Sequence, residues 1–295
     1  MQRDLTVRFW GVRGSIASPG PETAAVGGNT SCVEVRCGDQ RIVLDAGTGL
    51  RRLGDALMKS QDPSDASLAL LLSHCHWDHI QGLPFFVPAY VPRTKLHVYG
   101  GTSGGSTVRE AFAHQMTAPV FPVRLDELAA RIEYTEVRHA QSFMIGDVKV
   151  SVARGNHPGG VLAYRLDWEG QSVVYATDTE HYACVDTNLS QLADGADLLI
   201  YDAQYTPEEY RGEGGLRSKA GWGHSTYVAA AELARASGAG TLVLFHHDPQ
   251  RTDAGVAAIE DKTRALFAST VAAREGMSLA ARPRGEGTTS ETEAA

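Results

Sequence analysis

Six consecutive residues, His74-Cys75-His76-Trp77-Asp78-His79, set three imidazoles and a carboxylate directly after the apolar stretch Leu68-Ala69-Leu70-Leu71-Leu72-Ser73. So dense a run of nitrogen and oxygen donors at a strand end constrains the chain to a fold that gathers metal ligands at the edge of a sheet. In an extended segment His74 and His76 project to the same side, so both reach one metal ion. A turn after them swings Asp78 and His79 toward a second. Two metal ions are the economical expectation. Neutral imidazole and carboxylate are the donors of catalytic Zn²⁺ sites, which keep one position open for water; Mn²⁺ and Fe²⁺ accept the same donors.

The 295 residues suffice to bury a sizeable core. Residues 1–275 read as one hydrolase-sized domain, and Gly276 to Ala295, polar and rich in small residues, as a frayed tail. The four cysteines, Cys32, Cys37, Cys75 and Cys184, form no Cys-x-x-Cys pair, which argues against a thiolate zinc site and a disulfide framework. Cys75 sits between two donors but on the opposite face of an extended backbone, where it reads as a small buried hydrophobe. A net charge of -8 disfavours long nucleic acid, whose binding is mostly phosphate neutralisation, but allows a small anionic substrate held by metal ions. No apolar run approaches the ~20 residues of a membrane span. The first residues, Met1 to Leu5, lack the apolar core of a secretory signal, so a cytoplasmic location is expected.

Leu5 to Trp10, Ser31 to Cys37 and Arg41 to Leu44 read as strands, with Gly11 to Thr30 a long loop near function. A short helix from Leu50 to Lys59 precedes the strand that ends at Ser73. Further on, Val148 to Ala153, Val161 to Leu166, Ser172 to Ala176, Leu198 to Tyr201 and Thr241 to Phe245 repeat the strand pattern. A helix is expected from about Ser225 to Ala236. A last one, from Asp253 to Arg274, carries Val256, Ile259, Leu266 and Val271 at roughly helical spacing. Two similar halves of this kind suggest two mixed sheets packed face to face with helices outside.

Three donors follow later strands: His157 after Ala153, Asp178 after Ala176 and His246 after Phe245. Taken alone, His157 is equally a Gly-flanked loop residue and Asp178 a turn former. In order, however, His-x-His-x-Asp-His, a strand-end His, a strand-end Asp and a last strand-end His resemble the metallo-β-lactamase fold superfamily over Leu5 to about Arg274. That resemblance implies an α/β fold, the αββα four-layer sandwich of two mixed β-sheets. It implies that His74, His76 and His157 hold one Zn²⁺, that Asp78, His79 and His246 hold another, and that Asp178 bridges them. Asp45, in Leu44-Asp45-Ala46-Gly47, resembles the acidic residue kept beneath the ligands, where it would accept the free ring N–H of a ligand histidine. The other reading is an Asp opening a Gly-rich turn.

Gly223-His224-Ser225-Thr226, the alanine-rich helix after it and Leu242-Val243-Leu244-Phe245-His246-His247-Asp248-Pro249 are similar to the end of the ribonuclease Z and phosphodiesterase branch. There the histidine of Gly-His-Ser/Thr is a proton donor near the scissile phosphate, a role that falls on His224, with Asp202 as its acidic partner. The alternative for His224 is a helix N-terminus capped through Ser225. Only 20 residues separate His157 from Asp178, too few for the tRNA-gripping arm of ribonuclease Z, which sets tRNA 3' processing aside. Phe9 to Ile16 and Gly27-Gly28-Asn29-Thr30-Ser31 look like armless bacterial relatives and phage cyclic-mononucleotide phosphodiesterases. Asn29 and Ser31 are therefore candidate substrate contacts; alternation turns His247 away from the ligand position of His246, and it is a further candidate contact. The loop Gly101 to Ser106 is either a phosphate cradle or a Gly/Ser linker.

The expected protein is thus a dinuclear metal hydrolase that cuts a small phosphodiester, best represented by a cyclic mononucleotide. A metal-bridging hydroxide attacks and His224 protonates the departing oxygen, with Asp78, His224 and Asp202 as the catalytic residues. A thioesterase or lactonase on the same metals and a non-catalytic cyclic-nucleotide sensor are the rival expectations. The branch also implies a homodimer, in which residues of a second copy could complete the pocket.

Overall fold

The computed structural model describes residues 4–60 and 67–282. The N-terminal sheet is built from β1 (Leu5–Gly11), β2 (Cys32–Cys37), β3 (Gln40–Leu44), β4 (Ser67–Leu72), β5 (Lys95–Gly100) and β6 (Arg131–Glu136). The C-terminal sheet is built from β7 (Ser142–Ile145), β8 (Val148–Gly155), β9 (Val161–Trp168), β10 (Gln171–Ala176), β11 (Leu198–Asp202), β12 (Thr241–Phe245) and β13 (Thr270–Ala272). A last strand, β14 (Ser278–Ala280), returns to pair antiparallel with β1. The strand orders are β14-β1-β2-β3-β4-β5-β6 and β13-β12-β11-β10-β9-β8-β7. Each sheet thus runs through antiparallel pairings up to β3 or β10 and parallel pairings beyond it.

Burial follows this pairing. β1 alternates buried and half-buried residues because one face meets the other sheet. β10, β11 and β12 are buried throughout, as parallel strands covered on both faces must be. Val7, Phe9, Ile42, Leu44 and Leu71 of the first sheet share one core with Val150, Tyr164, Leu166, Val173 and Tyr175 of the second. Two tyrosines cross between the sheets: Tyr164 donates to the Leu72 carbonyl at 2.6 Å and Tyr175 to Asp45 at 2.7 Å.

The outer layers are helical. Outside the first sheet, α1 (Gly49–Lys59) buries Leu50, Leu53 and Leu57, and a short α2 (Trp77–Ile80) and α3 (Val108–Gln115) complete that cover. Outside the second lie α4 (Thr187–Leu192), α5 (Pro207–Arg211), α6 (Tyr227–Ser237) and α7 (Asp253–Leu266). Two mixed sheets with helices outside are the αββα sandwich expected from the sequence.

Two boundaries differ from expectation. The last helix stops at Leu266 rather than Arg274, and Val271, which fitted the helical spacing, lies in β13. Residues 276–282, assigned by composition to the tail, include β14, which covers the free edge of β1; the rest of that tail lies outside the described residues.

Candidate metal centre

The ends of β3, β4, β8, β10, β11 and β12 deliver the residues of the site. Parallel strands expose their C-terminal ends on one edge of a sheet, and here the two sheets bring those edges together. His74 follows β4; His76 caps α2, whose first turn presents Asp78 and His79. His157 follows β8, Asp178 follows β10, Asp202 closes β11 and His246 follows β12.

The donor atoms fall into sets. Those of His74, His76 and His157 lie within 4.8 Å of one another, as do those of Asp78, His79, Asp178 and His246. Asp178 faces both: Oδ2 is 3.8 Å from His74 Nε2, 3.9 Å from His157 Nε2 and 3.3 Å from His79 Nε2, and Oδ1 is 3.2 Å from His246 Nε2. His246 Nε2 is also 3.3 Å from Asp78 Oδ2.

Four of the five ligand imidazoles are oriented from behind; the fifth, His76, has its Nδ1 2.9 Å from His157 Nε2. His79 Nδ1 meets Asp45 at 2.7 Å, His246 Nδ1 meets Gln204 Oε1 at 2.9 Å, and His157 Nδ1 meets the Gly223 carbonyl at 2.8 Å. His74 Nδ1 is 3.1 Å from Ser73 Oγ, which in turn donates to Asp45 at 2.8 Å. These acceptors fix the proton on Nδ1 and leave the Nε2 lone pairs facing inward. The buried Nε2 atoms of His74 and His79 have no hydrogen-bond partner, a costly arrangement unless a cation takes the lone pairs.

The electrostatics agree. Burial disfavours the charged ring and holds His74 well below, and His76 and His157 below, the ordinary histidine value. Burial acts the same way on His79, but Asp178, Asp78 and Asp45 around it outweigh that and raise it well above. Burial raises Asp78 and Asp178, yet the surrounding histidines hold both well below the usual carboxylate range. One half of the pocket keeps its imidazoles neutral, and the other concentrates negative charge that needs positive charge in return. The residues present therefore fit a pair of divalent cations.

His224 and Asp202 lie outside those two sets but form a third with Asp178 and His246, whose donor atoms also lie within 4.8 Å of one another. The His224 ring stacks on His246 with centroids 5.0 Å apart, and its Nδ1 meets Asp202 Oδ2 at 2.8 Å. Burial lowers its pKa, but Asp202, Asp178 and Asp78 together outweigh burial and the value is pushed up to about 9. Asp202 also accepts from the backbone of Gln204 and Ser225, so its orientation is fixed.

Of the residues expected at the substrate, three are placed elsewhere. His247 is buried, its Nε2 on the Ala273 carbonyl at 3.0 Å and its pKa lowered to about 3 by burial, so it belongs to the wall and not to the pocket. Asn29 spends its side-chain amide on Glu275, and Ser31 is fully buried.

Several residues of the site carried no sequence signal. Ser15 donates its backbone N–H to Asp78 Oδ2 at 2.7 Å. Glu180 is buried and accepts from Tyr210 Oη at 2.6 Å and from the backbone of Gly221 and Gly223, so it clamps the turn that carries His224. A Cβ on Gly223, whose φ is +88°, would overlap the His157 ring, and one on Gly14 would overlap His246.

Comparison with known proteins follows the same lines. The family model described as a beta-lactamase superfamily domain matches residues 40–247. A ribonuclease Z from Methanopyrus kandleri is 26% identical over 315 aligned positions, covering 96% of this chain and all of its own length. The metallo-beta-lactamase fold protein YhfI from Bacillus subtilis superposes with a TM-score of 0.70 at 20% identity, covering 95% of this chain and 100% of that one. Unliganded yeast PDE1 gives 0.65 at 11% identity, with 94% and 99% covered. The chain belongs to the β-lactamase superfamily domain family and has the metallo-β-lactamase fold.

Proposed function

We propose that the protein hydrolyses small phosphodiesters with two divalent metal ions, a cyclic mononucleotide being the best representative substrate. The observation that carries the reading is the His224–Asp202 pair, 2.8 Å apart, packed against two donor sets with Asp178 lying between them. His74, His76 and His157 would hold one ion, Asp78, His79 and His246 the other, and Asp178 both. When bound, such ions polarise the phosphoryl oxygens and make water acidic enough to ionise near neutral pH. Zinc is the expected metal, with manganese or iron compatible with the same donors.

The chain's own groups supply the rest. Asp45, Gln204 and the Gly223 carbonyl keep the ligand rings in one tautomer. Asp202 holds the proton of His224 Nδ1 and favours the imidazolium, so Nε2 is free to give its proton to the departing alkoxide oxygen. Thioesters and lactones need less help at the leaving group, so a histidine paired with a buried carboxylate beside the cluster favours a phosphodiester.

Relatives named ribonuclease Z support phosphodiester chemistry. Between His157 and Asp178, however, β9 and β10 form a plain antiparallel pair that leaves no place there for an inserted tRNA-binding arm. The test is a panel of cyclic nucleotides, linear dinucleotides, an aryl phosphodiester, a thioester and a lactone, run with wild type and His224→Ala of known metal content. Phosphodiester turnover that falls ~10²-fold or more in His224→Ala is expected. Turnover confined to thioesters or lactones, or a variant as fast as wild type on the cyclic nucleotide, refutes the proposal.

A further inference from the structure

Beside the first donor set lies a cavity of about 350 Å³, at the small end of ligand pockets, which run roughly 300–1,000 Å³. Its walls are the Trp77 indole, Ile80 and Ala111, with His114, Ser103 and Ser106 supplying polar atoms and His76 opening it to the metal centre. Trp77 is 62% exposed, and among the described residues no ring or cation covers its face. Trp222, the other exposed tryptophan near the cluster, differs: Lys219 Nζ sits 4.0 Å over its ring. A large indole left bare at the rim of an active site, between two ligand residues, has a surface to give to a flat partner.

The loop Gly101 to Ser106 forms one side of this cavity, and its hydrogen bonds decide what it can hold. Ser103 and Ser106 exchange backbone N–H to carbonyl bonds of 2.9 and 3.0 Å, and Gly104 N–H is spent on the Gly159 carbonyl at 3.1 Å. Three of the loop's backbone N–H groups are thereby spent within the fold and are not presented to a phosphate. The Gly104 bond instead fastens this loop to the loop of His157, so the wall is tied to the metal centre. His224 lies on the other flank, against His157 and His246.

We propose that this cavity is the subsite for a planar heterocycle carried by the substrate, stacked on Trp77 with its polar edge toward Ser103, Ser106 and His114. The inference rests on the phosphodiesterase reading and deepens it: the substrate is a nucleotide held by its base at the His76 side, and its leaving oxygen is protonated from the His224 side.

Binding is measured by calorimetry on the metal-loaded full chain, with a nucleoside 5'-monophosphate and with ribose 5-phosphate, which lacks the base. Stacking of a base on an aromatic side chain predicts that Trp77→Ala weakens the nucleotide roughly 10-fold or more, and Trp77→Phe less. Ribose 5-phosphate is expected to bind all three alike. Because Trp77 adjoins two ligand residues, Ala111→Leu serves as the second variant: it fills the cavity from α3 and is expected to weaken the nucleotide alone. Nucleotide bound no better than ribose 5-phosphate by wild type, or bound equally by wild type and Ala111→Leu, overturns the subsite. These outcomes are separable from the fate of the hydrolysis reading. A chain that cleaves no phosphodiester but shows the binding differences keeps the subsite, and one that cleaves cyclic nucleotides with the same KM in both Trp77 variants loses it.

Discussion

Replacing Asp45 with Asn keeps the shape of the side chain and removes its charge. Asp45 is fully buried; Oδ1 accepts from Ser73 N–H at 2.7 Å, and Oδ2 accepts from Ser73 Oγ, His79 Nδ1 and Tyr175 Oη at 2.7 to 2.8 Å. An Asn at this site keeps its oxygen on Ser73 N–H and turns its amide toward the other three. Two amide hydrogens then face three neighbours. Ser73 and Tyr175 can rotate their hydroxyls, but His79 must receive a hydrogen at Nδ1 and so carries its own proton on Nε2, the atom that faces Asp78 and Asp178. The reversed Ser73 hydroxyl likewise disturbs His74 Nδ1, so one substitution reaches both donor sets.

Loss of such an orienting partner costs ~10- to 100-fold in metal affinity. Exchanging charge-assisted bonds for neutral ones, with one group unpaired, destabilises the metal-free fold by about 2–4 kcal/mol. Chelator competition reads the first quantity, urea unfolding of the apoprotein the second, and ¹⁵N NMR of the histidine rings the tautomer. An Asp45→Asn protein that holds two ions with wild-type affinity, or whose His79 keeps its proton on Nδ1, refutes the orientation argument.

The Glu180→Gln variant sets an amide hydrogen donor against an N–H or hydroxyl donor in the clamp on Gly221, Gly223 and Tyr210, so it is expected to lose ~2 kcal/mol in urea unfolding and to lower kcat with both metals retained. Gly223→Ala pushes a methyl into His157 at a left-handed backbone position, and metal analysis after dialysis is expected to show one ion lost before the other. Iodoacetamide followed by mass spectrometry is expected to mark exposed Cys184 in the native protein and Cys32 and Cys37 only after unfolding, since burial raises the Cys32 thiol and pushes Cys37 up to about 12.

The donors were legible because each follows an apolar run, where a strand leaves the core and a polar side chain has no packing duty. The two sheets were legible from the same runs. What escaped the sequence depends on partners far along the chain. Glu180 reads as one more polar loop residue after Asp178 until the fold brings Gly221 and Gly223 to it. β13 and β14 have three residues each, too short for period 2 to be told from the helical spacing that Val271 also satisfies. His247 shares its chemistry with the adjacent His246, and only the fold supplies the Ala273 carbonyl, just after β13, that fixes its ring.

Three of the site's own residues, Asp45, Asp178 and His246, have positive φ values of 62°, 51° and 59°, and each lies just beyond the end of a strand. For side chains with a Cβ this backbone is uncommon, and it costs of order 1–3 kcal/mol each. Glycine would relieve the strain at all three positions and supply no donor. The left-handed turn breaks the two-residue alternation at the strand end, so a side chain that pleating would send into a sheet face can face the cluster instead. Hydrogen bonds to these same residues hold the turns: Asp45 through four donors, His246 through Gln204, Asp178 through Thr177 Oγ1 at 2.5 Å. The strain is therefore stored by the surrounding packing, and at these three positions it serves to aim two proposed ligands, Asp178 and His246, and the carboxylate of Asp45 behind His79.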